Sequence, residues 1–304
     1  MQPKRVQCLF FSPCGSVKAY AIAVAESAAQ AAGLPLQCID LTLPAARQQA
    51  LSFAPDTLTV AAFPVYAGRL PNRLLPDLNR LLSGGCGPAV ALAVYGNRSV
   101  DDALMELSQL LTLHGFTPIA GAALVAQHAF APALAPGRPD AQDLAAARSF
   151  GARLPALAEA PVPLSLPGND PVGPYYQPKG LDGAPTVFLK AKPITDPTVC
   201  TGCGLCAAAC PVAAIDPAAP TNVPGVCIKC QACLQVCPQA AKHWEDPAFL
   251  SHKAALERDF TQRRENAFFP PQDSPSRLSP RERWHAQRDG EGTPLPPGEV
   301  AAAG

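Results

Sequence analysis

The sequence predicts a doubly wound α/β domain with a five-stranded parallel sheet, followed by a small α+β domain. In the first half of the 304 residues, five apolar runs alternate with helix-like segments. Such alternation is typical of a parallel sheet covered by helices on both faces. In the second half, eight of the 12 cysteines crowd between Cys200 and Cys237. The chain is long enough for one domain of ordinary size and a smaller one.

The predicted strands are short apolar runs bounded by turn residues. They cover residues 6–11, 36–41, 58–63, 89–95 and 119–126. The segments between and after them have helical character, at residues 17–32, 43–51, 70–82, 99–113 and 140–158. The first domain is therefore predicted to span residues 1–160.

Three further regions follow this domain. Residues 161–192 are predicted to be an extended linker, because nine prolines fall between positions 161 and 197. Residues 193–245 hold the cysteine repeat. Residues 246–304 are predicted to contain a short helix at 249–264 and then a disordered tail of about 35 residues, because Pro, Arg, Glu, Gly and Ser follow there without periodicity.

Charge and hydropathy exclude several classes of partner. Lys plus Arg and Asp plus Glu are equal at 24 each, so no net field favours nucleic acid or an anionic membrane. Residues 107–137 lack charged side chains, but His114, Gly115 and Pro118 interrupt them too often for a membrane span. The N-terminal apolar run is too short for an export signal. We therefore expect a cytoplasmic protein with no membrane span, in which clustered cysteines bind metal rather than form disulfides. The redox partner and oligomeric state are not indicated.

The cysteines form two copies of the pattern CxxCxxCxxxCP, offset by 27 residues. In this bacterial pattern three thiolates bind one 4Fe-4S cluster, while the fourth ligates the other cluster. The prediction is therefore two 4Fe-4S clusters. One set is Cys200, Cys203, Cys206 and Cys237, and the other is Cys210, Cys227, Cys230 and Cys233.

Structural zinc is the alternative for these cysteines, since it also uses CxxC pairs. Tetrahedral zinc sites, however, take two pairs per metal. Three evenly spaced thiolates with a fourth before Pro211 or Pro238 favour the clusters.

Three loops are predicted at the carboxyl edge of the sheet, where doubly wound folds bind ligands. The first, at residues 12–17, joins a strand to a helix N-terminus and suits a phosphate. The second and third follow the third and fourth strands. The candidate residues of the three loops are Ser12, Cys14, Gly15, Ser16, Val17, Pro64, Val65, Tyr66, Ala67, Gly68, Tyr95, Gly96, Asn97 and Arg98.

The first domain resembles the flavodoxin-like fold, and the cysteine repeat resembles the two-cluster bacterial ferredoxins. The whole chain resembles the EFR-type flavodoxin–ferredoxin fusion family, which His128 and Phe130 also fit. This resemblance implies FMN, with its phosphate on the first loop and its ring between the second and third loops. Tyr66 and Tyr95 are the candidate stacking rings.

The first loop departs from the flavodoxin pattern. Cys14 and Val17 stand where flavodoxins usually have threonines, which removes two hydroxyl donors and leaves the backbone N–H groups. Cys14 is interpreted as a small side chain that fits the loop rather than a reactive thiolate. Cys8, Cys38 and Cys86 are interpreted as small hydrophobic or loop residues.

Three functions remain open at this point. The first is an electron carrier in which two clusters and FMN exchange electrons. The second is an FMN-dependent reductase fed by the clusters, with its substrate on the flavin near His128. The third keeps the clusters but makes the first domain an empty scaffold that binds a partner.

Overall fold

The structure is a computed structural model, which describes residues 2–159 and 164–270. Its first domain contains five parallel strands in the predicted positions: β1 (Arg5–Phe10), β2 (Leu36–Asp40), β3 (Thr57–Pro64), β4 (Pro88–Tyr95) and β5 (Thr117–Val125). Their order in the sheet is β2-β1-β3-β4-β5. This is the flavodoxin-like doubly wound order, so the predicted fold class is confirmed.

Helices cover both faces of this sheet. They are α1 (Ser16–Ala32), α2 (Leu75–Leu81), α3 (Ala103–Leu113), α4 (Ala141–Gly151) and α5 (Leu154–Glu159). The segment predicted as helical at 43–51 forms a 3-10 helix, Pro44–Gln48. Every residue of β3 is buried, because its side chains alternate between the two apolar layers. The uncharged stretch at 107–137 forms the end of α3, a turn at Gly115 and β5. None of the described helices is long and apolar enough to span a membrane.

The cysteine module is built from two equivalent halves. The short helix α6 (Leu205–Ala208) lies in one half and α7 (Ala232–Gln235) in the other, and β6 (Ile194–Thr195) pairs antiparallel with β7 (Lys242–His243). The residues before the two helices, Gly204 and Gln231, both have left-handed backbones with φ of 75° and 69°. The sequence repeat is therefore also a structural repeat.

The C-terminal segment returns to the first domain, which the sequence did not predict. Helix α8 (Pro247–Asp259) begins at Asp246, whose carboxylate accepts a hydrogen bond from the Phe249 N–H at 2.8 Å. Strand β8 (Ala267–Phe269) then pairs antiparallel with β5 and becomes the sixth strand of the sheet. The helix is shorter than predicted, because Asn97 binds the carbonyls of the chain directly after it, as described below. The predicted disordered tail from residue 271 onward lies outside the described residues.

The described part of the proline-rich segment is attached to the first domain. The Asp102 carboxylate accepts hydrogen bonds from the N–H groups of Asn169 (2.8 Å) and Gly173 (2.7 Å). The Tyr175 hydroxyl donates to the Leu70 carbonyl at 2.9 Å, and the Tyr176 N–H donates to the Ala67 carbonyl at 2.8 Å. These contacts hold the linker beside the loops that follow β3 and β4.

Candidate functional site

The first loop leads into the N-terminus of α1. Gly15, the N-cap residue, has a φ of 88° and no side chain with which to cap the helix. The Ser12 hydroxyl accepts a hydrogen bond from the Lys18 N–H at 2.9 Å, and the Ser12 N–H donates to Thr42 Oγ1 at 2.9 Å. Those two bonds fix the loop, while the helix dipole and the N–H groups of its first turn suit an anion.

Cys14 connects this loop to the cysteine module. Its thiol donates a hydrogen bond to the Cys230 carbonyl at 2.7 Å. Burial raises the pKa of the Cys14 thiol to about 11, although a hydrogen bond with Gln235 lowers it. The thiol is therefore protonated at neutral pH. This agrees with the prediction that Cys14 fits the loop as a small side chain and is not a reactive thiolate.

The three predicted loops surround one large cavity of about 540 Å³. This volume lies in the range of small-molecule and cofactor sites, roughly 300–1,000 Å³. The predicted loop residues that line it are Ser12, Cys14, Ser16, Val17, Pro64, Val65, Tyr66, Ala67, Tyr95, Gly96 and Arg98. Gly15, Gly68 and Asn97 do not contribute to this lining.

Gly68 and Asn97 shape the loops from outside the cavity. Gly68 has a φ of 79°, and a Cβ there would lie 2.4 Å from the Asp101 carboxylate. Asn97 is completely buried, and its amide donates to the carbonyls of Phe260 (2.7 Å) and Gln262 (2.8 Å). Its Oδ1 accepts from the Arg264 N–H at 3.2 Å. Asn97 therefore fastens the C-terminal segment to the third loop.

The two candidate stacking rings are both neutral. Burial raises the pKa of Tyr66 well above its ordinary value and that of Tyr95 to about 12. The backbone of Tyr66 pairs with that of Arg69 in both directions, which fixes the turn after β3. Tyr95 is 3% exposed at the end of β4 and packs mainly in the core. Tyr66 is thus the less deeply packed of the two rings.

Much of the cavity wall lies outside the three predicted loops. These residues come from the linker, the cysteine module and α8: Tyr175, Tyr176, Gln177, Pro178, Thr186, Val187, Phe188, Leu189, Ile228, Lys229, Cys230, His252 and Leu256. Of these, the sequence assigns Cys230 to a site, as a cluster ligand, and gives no signal for the others. The Arg98 guanidinium lies 3.9 Å from the Tyr176 ring centroid, and Phe188 stacks on His252 at 5.3 Å.

Two histidines in the wall are held neutral. Burial, together with smaller effects of His252 and Arg98, lowers the pKa of His128 to about 3. Burial also lowers the pKa of His252, whose Nδ1 donates to the Lys179 carbonyl at 2.8 Å. A Cβ on Gly96 would lie 2.4 Å from the His128 ring, so glycine is required where these loops meet. The wall near His128 therefore holds two neutral imidazoles beside the Arg98 guanidinium.

The eight clustered cysteines line two separate small cavities. Cys200, Cys203, Cys206 and Cys237 surround the first. Cys210, Cys227, Cys230 and Cys233 surround the second. Each cavity thus receives three cysteines from one stretch and a fourth from the other half of the repeat. Within residues 2–159 and 164–270, no three His, Cys, Asp or Glu side chains are arranged to hold a single metal ion.

Backbone N–H groups already point at several of these sulfurs. The Ala214 N–H donates to Cys210 Sγ at 3.2 Å, and the Ala241 N–H donates to Cys237 Sγ at 3.3 Å. These two bonds occupy equivalent positions in the two halves. Hydrogen bonds of this kind stabilise thiolate and tune the potential of a bound cluster.

Burial raises the pKa of most thiols around the second cavity. It raises those of Cys227 and Cys230, and that of Cys233 to about 12. At the first cavity, burial raises the pKa of Cys237, but hydrogen bonds from Ala241, Gln239 and Lys242 outweigh it and the net shift is downward. Thiols with raised pKa values must release protons when they bind metal.

The second cysteine cavity adjoins the large cavity. Ile228 and Cys230 line both of them, whereas the first cysteine cavity shares no lining residue with the large one among those described. At the first cavity Cys203 is exposed to solvent. Cys206 of the first set packs in one cluster with Cys210 and Cys233 of the second. The second cysteine cavity therefore lies between the large cavity and the first cysteine cavity.

Comparison with known proteins gives one family match and several structural similarities. Residues 192–238 match the family described as a 4Fe-4S dicluster domain. The first domain is similar in structure to a flavodoxin from the domain Archaea, at 12% identity over 51% of this chain and 99% of that one, with a TM-score of 0.38. It is also similar to oxidised flavodoxin 2 from Bacillus cereus (14% identity, 51% and 98%, TM-score 0.36).

A third similar structure is larger than the matching part of this chain. It is the rubredoxin oxygen:oxidoreductase from Desulfovibrio gigas, with 15% identity over 52% of this chain but only 38% of that one, and a TM-score of 0.36. No curated protein sequence matches the chain. The fold assignment of the first domain rests on its own strand order rather than on these similarities.

Proposed function

We propose that this protein transfers electrons between FMN in the large cavity and two 4Fe-4S clusters in the cysteine module. The observation that carries the proposal is the shared wall, because Cys230 lines both the large cavity and the second cysteine cavity. Bound flavin exchanges one or two electrons and each cluster exchanges one, so such a pairing links the two kinds of redox chemistry.

The two sets of four cysteines are proposed as the cluster ligands. One set is Cys200, Cys203, Cys206 and Cys237, and the other is Cys210, Cys227, Cys230 and Cys233. Their grouping around two cavities supports this assignment, as does the match to a 4Fe-4S dicluster domain. The N–H groups of Ala214 and Ala241 would stabilise the bound thiolates.

The first loop is proposed to hold the FMN phosphate. The N-terminus of α1, whose N-cap residue Gly15 has no side chain, supports this role, with backbone N–H groups in place of the threonine hydroxyls that Cys14 and Val17 lack. The loops after β3 and β4 would flank the ring, with Tyr66 better placed than Tyr95 to stack on it. Resemblance to the EFR-type fusion family implies the same arrangement. Gly68 and Asn97 shape these loops rather than contact the cofactor.

The spatial order of the three cavities also supports an order of electron transfer. The second cysteine set lies beside the proposed flavin, and the first set, with its exposed Cys203, lies farther away. We expect an outside redox partner to exchange electrons with the first cluster, which then communicates with the flavin through the second. Tyr176, Phe188 and His252 would cover the flavin on the remaining side.

Composition and spectroscopy test the proposal directly. Anaerobically purified and reconstituted protein should contain about eight iron and eight acid-labile sulfide per chain. Heat-released flavin, separated by liquid chromatography, should be FMN at about one per chain. Stoichiometric zinc with little iron would contradict the clusters. Clusters without any flavin would favour the scaffold hypothesis for the first domain.

The proposed order of transfer has its own test. With a low-potential donor that reduces clusters faster than flavin, flavin reduction in the intact protein should be first-order and independent of protein concentration. Cys230→Ser should remove this fast phase, and the matched variant Cys203→Ser should alter mainly the entry of electrons from the donor. Equally fast flavin reduction in a Cys203→Ser, Cys230→Ser double variant would contradict transfer through the clusters.

A reductase is the second candidate, favoured by the size and wall of the large cavity. Beyond the three loops the cavity extends to His128, Phe188 and His252, an aromatic region beside Arg98 that suits a planar substrate. If it is a reductase, FMN reduced through the clusters should be reoxidised by a particular small molecule with saturation kinetics. A carrier should be reoxidised only by proteins or general electron acceptors.

A further inference from the structure

Two cysteines outside the cysteine module face each other across the first two strands. In the parallel pairing of β1 with β2, Cys8 is the direct register partner of Cys38. Neighbouring strands lie about 4.8 Å apart. A disulfide accepts Cα separations of roughly 4.4–6.8 Å. The backbone therefore brings these two residues within bonding range.

Direct register partners on neighbouring strands project to the same face of the sheet, so the Cys8 and Cys38 side chains lie side by side. The preceding pair shows that side chains meet at this edge, since Gln7 Nε2 donates to Gln37 Oε1 at 3.3 Å. Gln7 and Gln37 project to the opposite face. Cys8 and Cys38 share the face that α1 covers, where Cys8 belongs to the core.

The two thiols differ in their access to solvent. Cys38 lies on the edge strand β2 and is exposed, whereas Cys8 is completely buried. The sequence-based interpretation of both as small hydrophobic or loop residues therefore does not describe Cys38. A reagent in solution can reach Cys38 directly, but it can reach Cys8 only through Cys38.

The environment makes Cys38 the more reactive of the pair. A hydrogen bond with Cys8 lowers the pKa of the Cys38 thiol to about 7, while burial and Glu26 oppose this shift and Lys18 adds to it. The same hydrogen bond, with burial, raises the pKa of Cys8. An exposed thiol with a lowered pKa and an adjacent second thiol has the properties of a redox-active cysteine.

We propose that Cys38 is a thiol-modification site and that Cys8 is its resolving cysteine. The Cys38 thiolate attacks one sulfur of a low-molecular-weight disulfide, RS–SR. The S–S bond of the reagent breaks, a Cys38–SR mixed disulfide forms, and RS⁻ leaves. The Cys8 thiol then gives up its proton and attacks Cys38 Sγ, which forms the Cys8–Cys38 disulfide and releases a second RS⁻. Two protein thiols are thus oxidised as RS–SR is reduced to two RSH.

This site is independent of the proposed cluster and flavin functions. Its two cysteines belong to neither cysteine set, and neither lines the large cavity. Disulfides in reducing compartments are usually transient and catalytic or redox-sensing. A reversible bond between β1 and the exposed edge strand β2 fits that class.

Peptide mapping tests the proposal. Cluster-loaded protein is treated anaerobically with oxidised glutathione, alkylated with N-ethylmaleimide, digested and analysed by mass spectrometry. In wild type the peptides that contain Cys8 and Cys38 should become linked, and reduction should separate them. In Cys8→Ala the mixed disulfide with glutathione should accumulate at Cys38 instead. In Cys38→Ser, Cys8 should remain unmodified.

A matched control and a second variant make the result unambiguous. Cys86→Ser removes a free thiol from the loop before β4 and should leave the Cys8–Cys38 link unchanged. Because Cys8 lies in the core, Cys8→Val serves as a second variant if Cys8→Ala does not fold. The proposal is overturned if both thiols stay free in wild type, if glutathione stays on Cys38 without a link to Cys8, or if Cys8 reacts in Cys38→Ser.

Discussion

Substitution of Asn97 tests whether this residue contacts the cofactor, as the sequence suggests, or holds the C-terminal segment in place, as its hydrogen bonds indicate. Its side chain makes three hydrogen bonds to the backbone of residues 260–264 and is fully buried. Asn97→Gly removes all three bonds but still permits the φ of 64°. At roughly 0.5–1.5 kcal/mol for each bond, the docking of residues 260–269 should weaken by about 2–4 kcal/mol.

Hydrogen exchange of the C-terminal segment measures this loss. If residues 260–269 exchange by local opening, Asn97→Gly should reduce the protection of their amides against hydrogen exchange by about 30- to 1,000-fold. A peptide from β2, on the opposite edge of the sheet, serves as an internal reference and should not change. FMN affinity should change much less than this protection does, because Asn97 does not line the cavity.

A second substitution separates backbone strain from lost hydrogen bonds. Asn97→Ala loses the same three bonds and also places an alanine in the left-handed region, which adds about 1–2 kcal/mol. The segment should therefore be less protected in Asn97→Ala than in Asn97→Gly. The structural role would be refuted if protection of residues 260–269 were unchanged in both variants while the dissociation constant of FMN rose tenfold.

Three other predictions follow from the site and the core. Cys237→Ser should alter the EPR signal of the cluster bound by Cys200, Cys203 and Cys206, because Cys237 lines that cavity; a change confined to the other cluster would contradict the ligand sets. FMN should bind more tightly than riboflavin, because only FMN can place a phosphate at the N-terminus of α1, and equal dissociation constants would be inconsistent with this site. Arg138→Ala should lower the free energy of unfolding by about 3–5 kcal/mol, because the buried Asp143 loses its closer ion-pair partner and keeps only Arg263 at 4.0 Å. Its control is Lys253→Ala, which breaks a partly exposed i,i+4 pair and should cost under about 1 kcal/mol by chemical denaturation.

The inner strands of the parallel sheet were predictable because they are buried on both faces. A strand such as β3 has no polar face, so it appears in the sequence as a continuous apolar run between turns. The grouping of the eight cysteines around two cavities was equally predictable, because it follows from a spacing that is local in the sequence. Strand β8 gives no comparable signal. It is three residues long, and it is stabilised by pairing with β5, which lies more than a hundred residues earlier.

The walls of the large cavity were only partly predictable for the same reason. The sequence indicates the three loops, because each directly follows a recognisable strand. It does not indicate the opposite wall, because the contacts that hold it are distant in the sequence. Tyr175, for example, bonds to Leu70, and His252 bonds to Lys179. Long-range contacts between isolated polar groups leave no periodicity in a single sequence.

Two contacts made by residues outside the cysteine repeat hold the cysteine module against the first domain. Arg47 is 5% exposed and donates to the Pro211 carbonyl at 2.7 Å, and Cys14 donates to the Cys230 carbonyl at 2.7 Å. Pro211 follows a cysteine of the second set, and Cys230 belongs to it, so both contacts fix the second cysteine cavity against the first domain. A charged donor such as Arg47 contributes about 1.5–3 kcal/mol, which would hold the module in place rather than leave it on a loose tether. One arginine and one cysteine of the first domain, both outside the cysteine repeat, therefore help to keep the second cysteine cavity close to the large cavity, as electron transfer between them would require.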